Sequence, residues 1–459
     1  MKKTSFMTAC LGAAWLFGMG AAHAQGAGAQ GLMAGAGRAD IQIPATLFPI
    51  DKFDAQHDPL AVRVMLLVNG NSRAAIVVVD QTSMSDEAVA RIKAILKRVD
   101  NVDAGNVLLA VSHGFSAPHV FSGAHMPPDA PAGTAEKAAV MAQAIDTAAE
   151  AAAGQALAGL QAAHLGFGQG TSRVAVNRDV PTSYGWWLGG DDAGFSDTGL
   201  GVVRLDRADG KPLAVLMNYG VQSSVLDYAI DGKGQRVISS DLAGEATRGL
   251  EAHYGDGAVA IWLVGAAGDQ APYLQADHHV VNADGSATRV QIGDAQYALL
   301  DLEGGRLTDD ALKAAEAAEP SQGAPTIQVA HIAVHATTQG GQPQGRPPSG
   351  PVKSFEPQTG PAADIPVTLL RIGDVAIVGV RPELSSVTGA WIKDHSPFKA
   401  TLVVTMVDGG DKYMPDASSY DHVTYEARSA HYVKGTAETV AAAAVEALKA
   451  MHDGKALPQ

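Results

Sequence analysis

Cysteine is all but missing. Cys10 is the only one in the chain, and it lies inside the stretch FMTACLGAAWLFGMGAA, which follows Lys2 and Lys3 and runs into the small-x-small triplet AHA at 22–24. That order of charged, apolar and small residues predicts an export signal over residues 1–24, and so a periplasmic or secreted protein. Cys10 precedes most of the apolar region, which argues against lipid attachment; the mature chain is expected to carry no thiol, no disulfide and no cysteine-bound metal. Beyond the leader, no apolar run approaches the ~18 residues of a membrane helix, so no stable membrane anchor is expected. A cationic surplus is missing too. The formal charge is −15, becoming −17 without Lys2 and Lys3, which disfavours nucleic acid and anionic membranes as partners and leaves a neutral or cationic amphiphile compatible. The glycine turn GAAGDQAP (265–272) lacks the Lys-Ser/Thr of a phosphate loop, and neither a G-x-S-x-G elbow nor an H-E-x-x-H helix occurs. No internal repeat shows, and no coiled-coil pattern assigns an oligomeric state.

What is present is an alternation of strands and helices, with 46% hydrophobic residues, enough for a sizeable core. A Gly/Ala/Gln-rich linker (25–36) precedes one continuous domain, 37–459. VRVMLLV and AAIVVVD read as strands around the turn NGNS, and SDEAVARIKAILKRV as a capped amphipathic helix. NVLLAVS is a further strand and residues 135–160 an Ala-rich helix. GVVRLD and PLAVLMNYG flank RADG as a hairpin. DLAGEATRGLEAHY is a helix feeding VAIWLVG. Then come PVTLLRIGDVAIVGV, ELSSVTGAWIKDH, TLVVTMVD and a last helix at 436–451. Residues 339–360 form a Gly/Pro-rich loop. The long apolar strands between helices predict an α/β fold, with mixed sheets flanked by helices.

Polar residues collect where these strands stop: Asp80, His113, Asn218, Tyr219, Asp269, Arg381, Glu383 and Asp408. Strand ends are where α/β proteins build sites, and also simply where polarity resumes. In HGFSAPHVFSGAH the histidines His113, His119 and His125 recur every six residues, a spacing that matches neither a helical pair nor a zinc motif. The DHH at 277–279 reads as a solvated loop rather than a ligand cluster. Spacing alone yields a strand-end pocket without a defined chemistry.

Taken in order, the segments resemble the neutral (alkaline, non-lysosomal) ceramidase family. GAGRADIQIP is similar to its opening strand, and HDPLAVRVMLLVNGNSRAAIVVVD to the segment that follows. NVLLAVSHGFSAP resembles a strand ending in His-Thr-His-Ser-Gly-Pro, and LGFGQGTSRVAVNRD one ending in Asn-Arg. GVVRLDRADGKPLAVLMNYGVQSSVL matches a stretch that reads Asn-Tyr-Ala-Cys-His-Pro in the family. ISSDLAGEATRGLE, AVAIWLVGAAGDQAP, VGVRPELSS and VDGGDKYMPDASSYDHVTYEARSA complete the series. The resemblance implies the neutral-ceramidase catalytic fold, here without the C-terminal immunoglobulin-like domain of longer members.

It also implies a Zn2+ ion that activates water against an amide. Carried over residue by residue, the metal ligands fall on His113, Gln222, Glu383 and Tyr413. His113 and Glu383 count among the catalytic residues too, with Arg178 and Tyr425 orienting the substrate amide. Phe115, Asp241 and Ala271 line the substrate pocket. Three positions depart from the family pattern: Phe115 and Gln222 replace histidines, and Ala271 replaces a serine. A glutamine oxygen is a poor zinc ligand beside imidazole, and Phe115 makes the pocket more apolar. Three readings therefore stand open: a metal-dependent hydrolase of an amide or related acyl bond in a lipid-like or other apolar substrate; a metal-free lyase, dehydratase or isomerase using His113, Glu383, Tyr413 and Asp241; or a binding protein on the same scaffold.

Overall fold

The computed structural model describes residues 31–120, 126, 130–321, 325–340 and 349–457. The expected leader and His125 lie outside them. The first strand, Met33–Asp40, begins inside the stretch expected to be linker.

Three sheets carry the molecule, and they repeat one topology. In the first, Met33–Asp40 pairs antiparallel with Ala61–Asn69, which turns through a hairpin into Ser72–Val79. Helix Asp86–Asp100 then crosses over to the parallel strand Val107–Val111. Helix Thr134–Ala158 follows, and a short edge strand, Gln161–Ala162, closes the far side. The second sheet runs His164–Thr171, Gly199–Asp206, Pro212–Tyr219, helix Asp241–Tyr254, parallel strand Val259–Val264, helix Gln296–Glu316 and edge strand Glu319–Pro320. The third runs Ile327–Gly340, Gln358–Ile372, Val375–Val380, helix Ser386–His395, parallel strand Ala400–Val404 and helix Thr436–Asp453. The strand order is the same in all three, apart from the edge strand, which has no counterpart in the third among the described residues. The repeat invisible in the sequence is thus present in the topology.

Period-two alternation builds the layers. Met65, Leu67, Ile76 and Leu108 of the first sheet meet Leu216 and Ile261 of the second and Leu370, Ile377 and Leu402 of the third in one shared core. The alternate residues, such as Val64, Leu66, Val77 and Leu109, face outward onto their own helix pair. Both faces are covered, which is why the strands read as unbroken apolar runs. The hairpins around NGNS and RADG and the Ser85-capped helix form as expected, Ser85 Oγ accepting from the Ala88 amide. The DHH stretch does not form the expected loop: Asp277–Val281 pairs with Ala287–Gln291 around a turn at Gly285 (φ +84°), and Asp277 is buried against Arg289. No helix among the described residues is long and apolar enough to cross a membrane.

The repeat fixes where chemistry collects. His113 follows the parallel strand of the first unit, Gln222 the third strand of the second, and Glu383 the third strand of the third. Backbone contacts knit these ends together: Asp408 N–H to the Leu109 carbonyl (2.8 Å) and Thr405 N–H to the Val264 carbonyl (3.1 Å).

Candidate active site

His113 leaves its strand at φ +56°, a left-handed conformation uncommon for a residue with a side chain. The turn is held because the next two residues join another unit: Gly114 bridges Ser223, and the Phe115 amide donates to the Ser223 carbonyl. The imidazole Nδ1 is 2.8 Å from the Thr82 carbonyl, so it is the protonated nitrogen, and Nε2 turns toward the interior. There it lies 2.7 Å from Glu383 Oε1. The two side chains form a buried ion pair. Burial disfavours the imidazolium, yet Glu383 and Thr82 outweigh it and hold the His113 pKa above its ordinary value. The complementary balance holds for Glu383: burial works against the carboxylate, while His113, Arg178 and Gln222 pull its pKa down.

Glu383 begins a two-residue strand paired in parallel with Tyr413–Met414, which sets the phenol of Tyr413 beside it. Its second oxygen accepts from Gln222 Nε2 at 2.8 Å, and Gln222 Oε1 accepts from Arg178 Nη1 at 2.7 Å. Arg178 also donates to one oxygen of Glu426, from Nε (2.8 Å) and Nη2 (2.5 Å), which leaves one N–H on each terminal nitrogen. It lies beside the rings of Tyr413 (5.3 Å to the centroid) and Tyr425 (5.7 Å), which also touch each other. Phe115 meets the His113 ring edge-on at 4.8 Å. The result is an aromatic-walled ring in which His113, Gln222, Glu383, Arg178 and Tyr413 are buried, Tyr413 the least so at 9%, while Phe115 and Tyr425 are half-buried. Two surface cavities, of about 460 and 590 Å³, lie elsewhere and are lined by none of these residues.

The residues expected from the sequence are thus divided. His113, Gln222, Glu383, Tyr413, Arg178, Tyr425 and Phe115 come together. Asp241 does not join them: its oxygens accept from the Val225, Leu226 and Leu242 amides and the Ser116 hydroxyl, which makes it a loop clamp. Ala271 is buried opposite Val176 on the strand that carries Arg178 and presents nothing polar. His119 is exposed and pairs with Asp51.

Two buried acids behind Arg178, Glu426 and Asp179, escaped the sequence reading, and a third, Asp269, was expected only as a strand-end residue without a role. Burial and the neighbouring Glu426 push the Asp179 carboxyl well above its ordinary value. Alternation along a strand would send Asp179 away from Arg178, but a register shift between Asn177 and Asp179 breaks the alternation there. The adjacent acid in NRD was the available signal.

The donor set can be compared with what zinc requires. A catalytic zinc needs three protein ligands beside its water. His113, with Nδ1 on a carbonyl and Nε2 inward, is prepared as such a ligand, and Glu383 offers an oxygen. Neither candidate for the third place serves: Gln222 Oε1 accepts from Arg178, and the same guanidinium lies 5.3 Å from the centre of the Tyr413 ring, with its charge acting on that phenol. Among the described residues, no three His, Cys, Asp or Glu side chains converge. A permanent cation already lies against both remaining oxygens, and the residues present do not fit zinc.

No family model and no curated protein matches the chain. Solved structures do. The structure of neutral ceramidase from Pseudomonas aeruginosa aligns with a TM-score of 0.71 at 19% identity, covering 94% of this chain and 76% of that one. A ceramidase complexed with C2 aligns at 0.70 and 17% identity, over the same shares. The chain has the neutral-ceramidase fold, as the resemblance implied.

Proposed function

We propose that the protein is an exported amide hydrolase acting on a lipid-like substrate, and that protein groups alone carry its reaction. The observation that carries this reading is the His113–Glu383 ion pair, closed in with Arg178 and walled by Phe115, Tyr413 and Tyr425. The ceramidase fold supports an amide as the bond attacked, and the aromatic walls suit an apolar chain. The leader supports export.

An imidazole whose pKa is raised beside a carboxylate whose pKa is lowered is an acid and a base set apart by their surroundings. Glu383 takes a proton from water as the water oxygen bonds to the amide carbon. The carbonyl electrons move onto oxygen, where the Arg178 guanidinium and a tyrosine hydroxyl offset the charge; one such donor is worth about 10²–10³-fold in rate. The C–N bond breaks, its electron pair leaves on nitrogen, and the Nε2 proton of His113 goes to that nitrogen. The proton on Glu383 then crosses the 2.7 Å contact to His113, restoring the pair. One water is consumed, and one acid and one amine are released. Zinc, expected from the resemblance, has no place in these steps because its third ligand is committed to Arg178.

The reading is checked with a neutral long-chain N-acyl amide. His113→Ala and Glu383→Gln should each lower kcat by about 10²–10⁴-fold. Turnover that is unaffected by either substitution would remove the pair from the reaction.

A further inference from the structure

Beside the ring described above lies a group of nitrogen donors that the described residues do not satisfy. Arg428, on the short helix Tyr425–Ser429, is 3% exposed. Its Nη1 donates to the Gly350 carbonyl at 2.8 Å, but Nε and Nη2 have no hydrogen-bond partner among the described residues. The guanidinium lies 5.3 Å from the centroid of Trp187, and the buried Nε1 of Trp187 likewise has no acceptor. The other two buried arginines of the described residues face carboxylates directly: Arg63 pairs with Asp80 and Glu251, although its Nε also lacks a hydrogen bond, and Arg178 places its Nε and Nη2 on Glu426. A buried charged donor left unmet is costly, so three together point to an acceptor that arrives from outside.

The chemistry of that acceptor can be read from the donors. Nε and Nη2 of one guanidinium present two parallel N–H groups, a fork that fits the two oxygens of a carboxylate. The Trp187 N–H adds a third contact. Glu426 lies within electrostatic reach of Arg428 and offsets part of its charge, so a single negative charge is better matched than a dianion. The subsite is also close to the reacting groups. Trp187 packs against Tyr425 (5.8 Å), and Tyr425 packs against Tyr413 (5.9 Å) and Arg178 (5.7 Å). One aromatic ring therefore separates the unmet donors from the guanidinium assigned to the amide oxygen, a gap that a short substituent on the amide nitrogen spans.

We propose that Arg428 and Trp187 form a carboxylate subsite and that the substrate is an N-acyl amino acid, cleaved to a fatty acid and an amino acid. This rests on the amide-hydrolase reading and names its substrate class. The acyl chain would lie along Phe115 and the tyrosines, and the amino-acid carboxylate on Arg428.

The test compares N-dodecanoylglycine with its uncharged analogue N-dodecanoylglycinamide, and with the sulfonate N-dodecanoyltaurine. The wild type should favour the carboxylate in kcat/KM, and Arg428→Gln should reduce that preference at least about tenfold. Arg428→Lys keeps the charge without the fork and should restore only part of it. If Arg428→Gln does not fold, Trp187→Phe, which removes one N–H, gives the same readout on a smaller scale. No preference in the wild type, a preference unchanged by the substitutions, or a stronger preference for the sulfonate would overturn the assignment. Should the wild type hydrolyse none of the three, the hydrolase reading fails on its own, and calorimetric titration then decides the subsite. Tighter binding of N-dodecanoylglycine than of the glycinamide, lost in Arg428→Gln, would uphold it; equal binding would end it.

Discussion

His113 combines a left-handed backbone, a buried ring and a short contact to a carboxylate, three costs that a merely structural residue would not accumulate. Its pairing with Glu383 sets a pH dependence whose sign follows from the two shifts. The His113 pKa is raised in the folded state, so its contribution is complete below the ordinary value of 6.5 and is lost as pH rises through the folded value. The Glu383 pKa is lowered, so its contribution is complete above the ordinary 4.5 and is lost as pH falls through the folded value. The pair therefore stabilises most between those ordinary values. Urea midpoints of wild type and His113→Gln should differ most in that window and converge on both sides. Because the reaction needs imidazolium and carboxylate together, kcat should follow a bell with the same acid and alkaline limbs; a single alkaline plateau would mean that neutral His113 is the active form. At this scale the sequence was informative wherever a residue ended a strand and the resemblance supplied a role, as at His113 and Glu383. It was silent on Glu426 and Arg428, whose partners sit on distant segments.

Single glycines decide how the elements approach one another. A Cβ on Gly35 would stand 2.0 Å from the Ala156 carbonyl oxygen, and one on Gly168 would stand 1.8 Å from that of Ala314. Each lies on the first strand of its unit, under the second helix, so the two units solve the same contact in the same way. Gly168→Ala should cost about 2–3 kcal/mol or more in urea unfolding, because backbone must move, whereas Gly305→Ala, with open space around it, should cost nothing. Asp241 acts at this scale as well. Burial raises its pKa to about 6, yet its carboxyl gathers three amides and a hydroxyl at the start of helix Asp241–Tyr254. Asp241→Ala strands those amides and should cost about 2–4 kcal/mol while leaving the kcat of the folded fraction near the wild-type value. A large loss of kcat in well-folded protein would return Asp241 to the pocket. Helices and hairpins were legible because caps, turns and periodicity are local. The register shift at Asn177–Asp179 and the strands at 277–291 were not, since cross-strand partners decide them.

Three copies of one topology around a shared core explain how a site can have no sequence motif of its own. Each unit delivers one side chain of the ring from a strand end: His113, Gln222 and Glu383. Residues adjacent in space are therefore separated by whole units along the chain. Hydrophobic patterning revealed the α/β class but not the repeat, since different apolar residues fill equivalent layers and nothing requires their identities to recur. The segment order carried the fold, and the substitutions at Phe115, Gln222 and Ala271 marked where chemistry would differ from the family pattern. What Gln222 brings is Arg178, a fixed positive charge set against the oxygens that would complete a metal site. The decisive measurement is turnover of a neutral N-acyl amide by chelator-treated protein, with zinc content measured on the same sample by plasma mass spectrometry. Full turnover at a small fraction of one zinc per chain is the expected result. Turnover that disappears with the zinc and returns when zinc is restored would contradict it, and would make His113 and Glu383 metal ligands rather than an acid and a base.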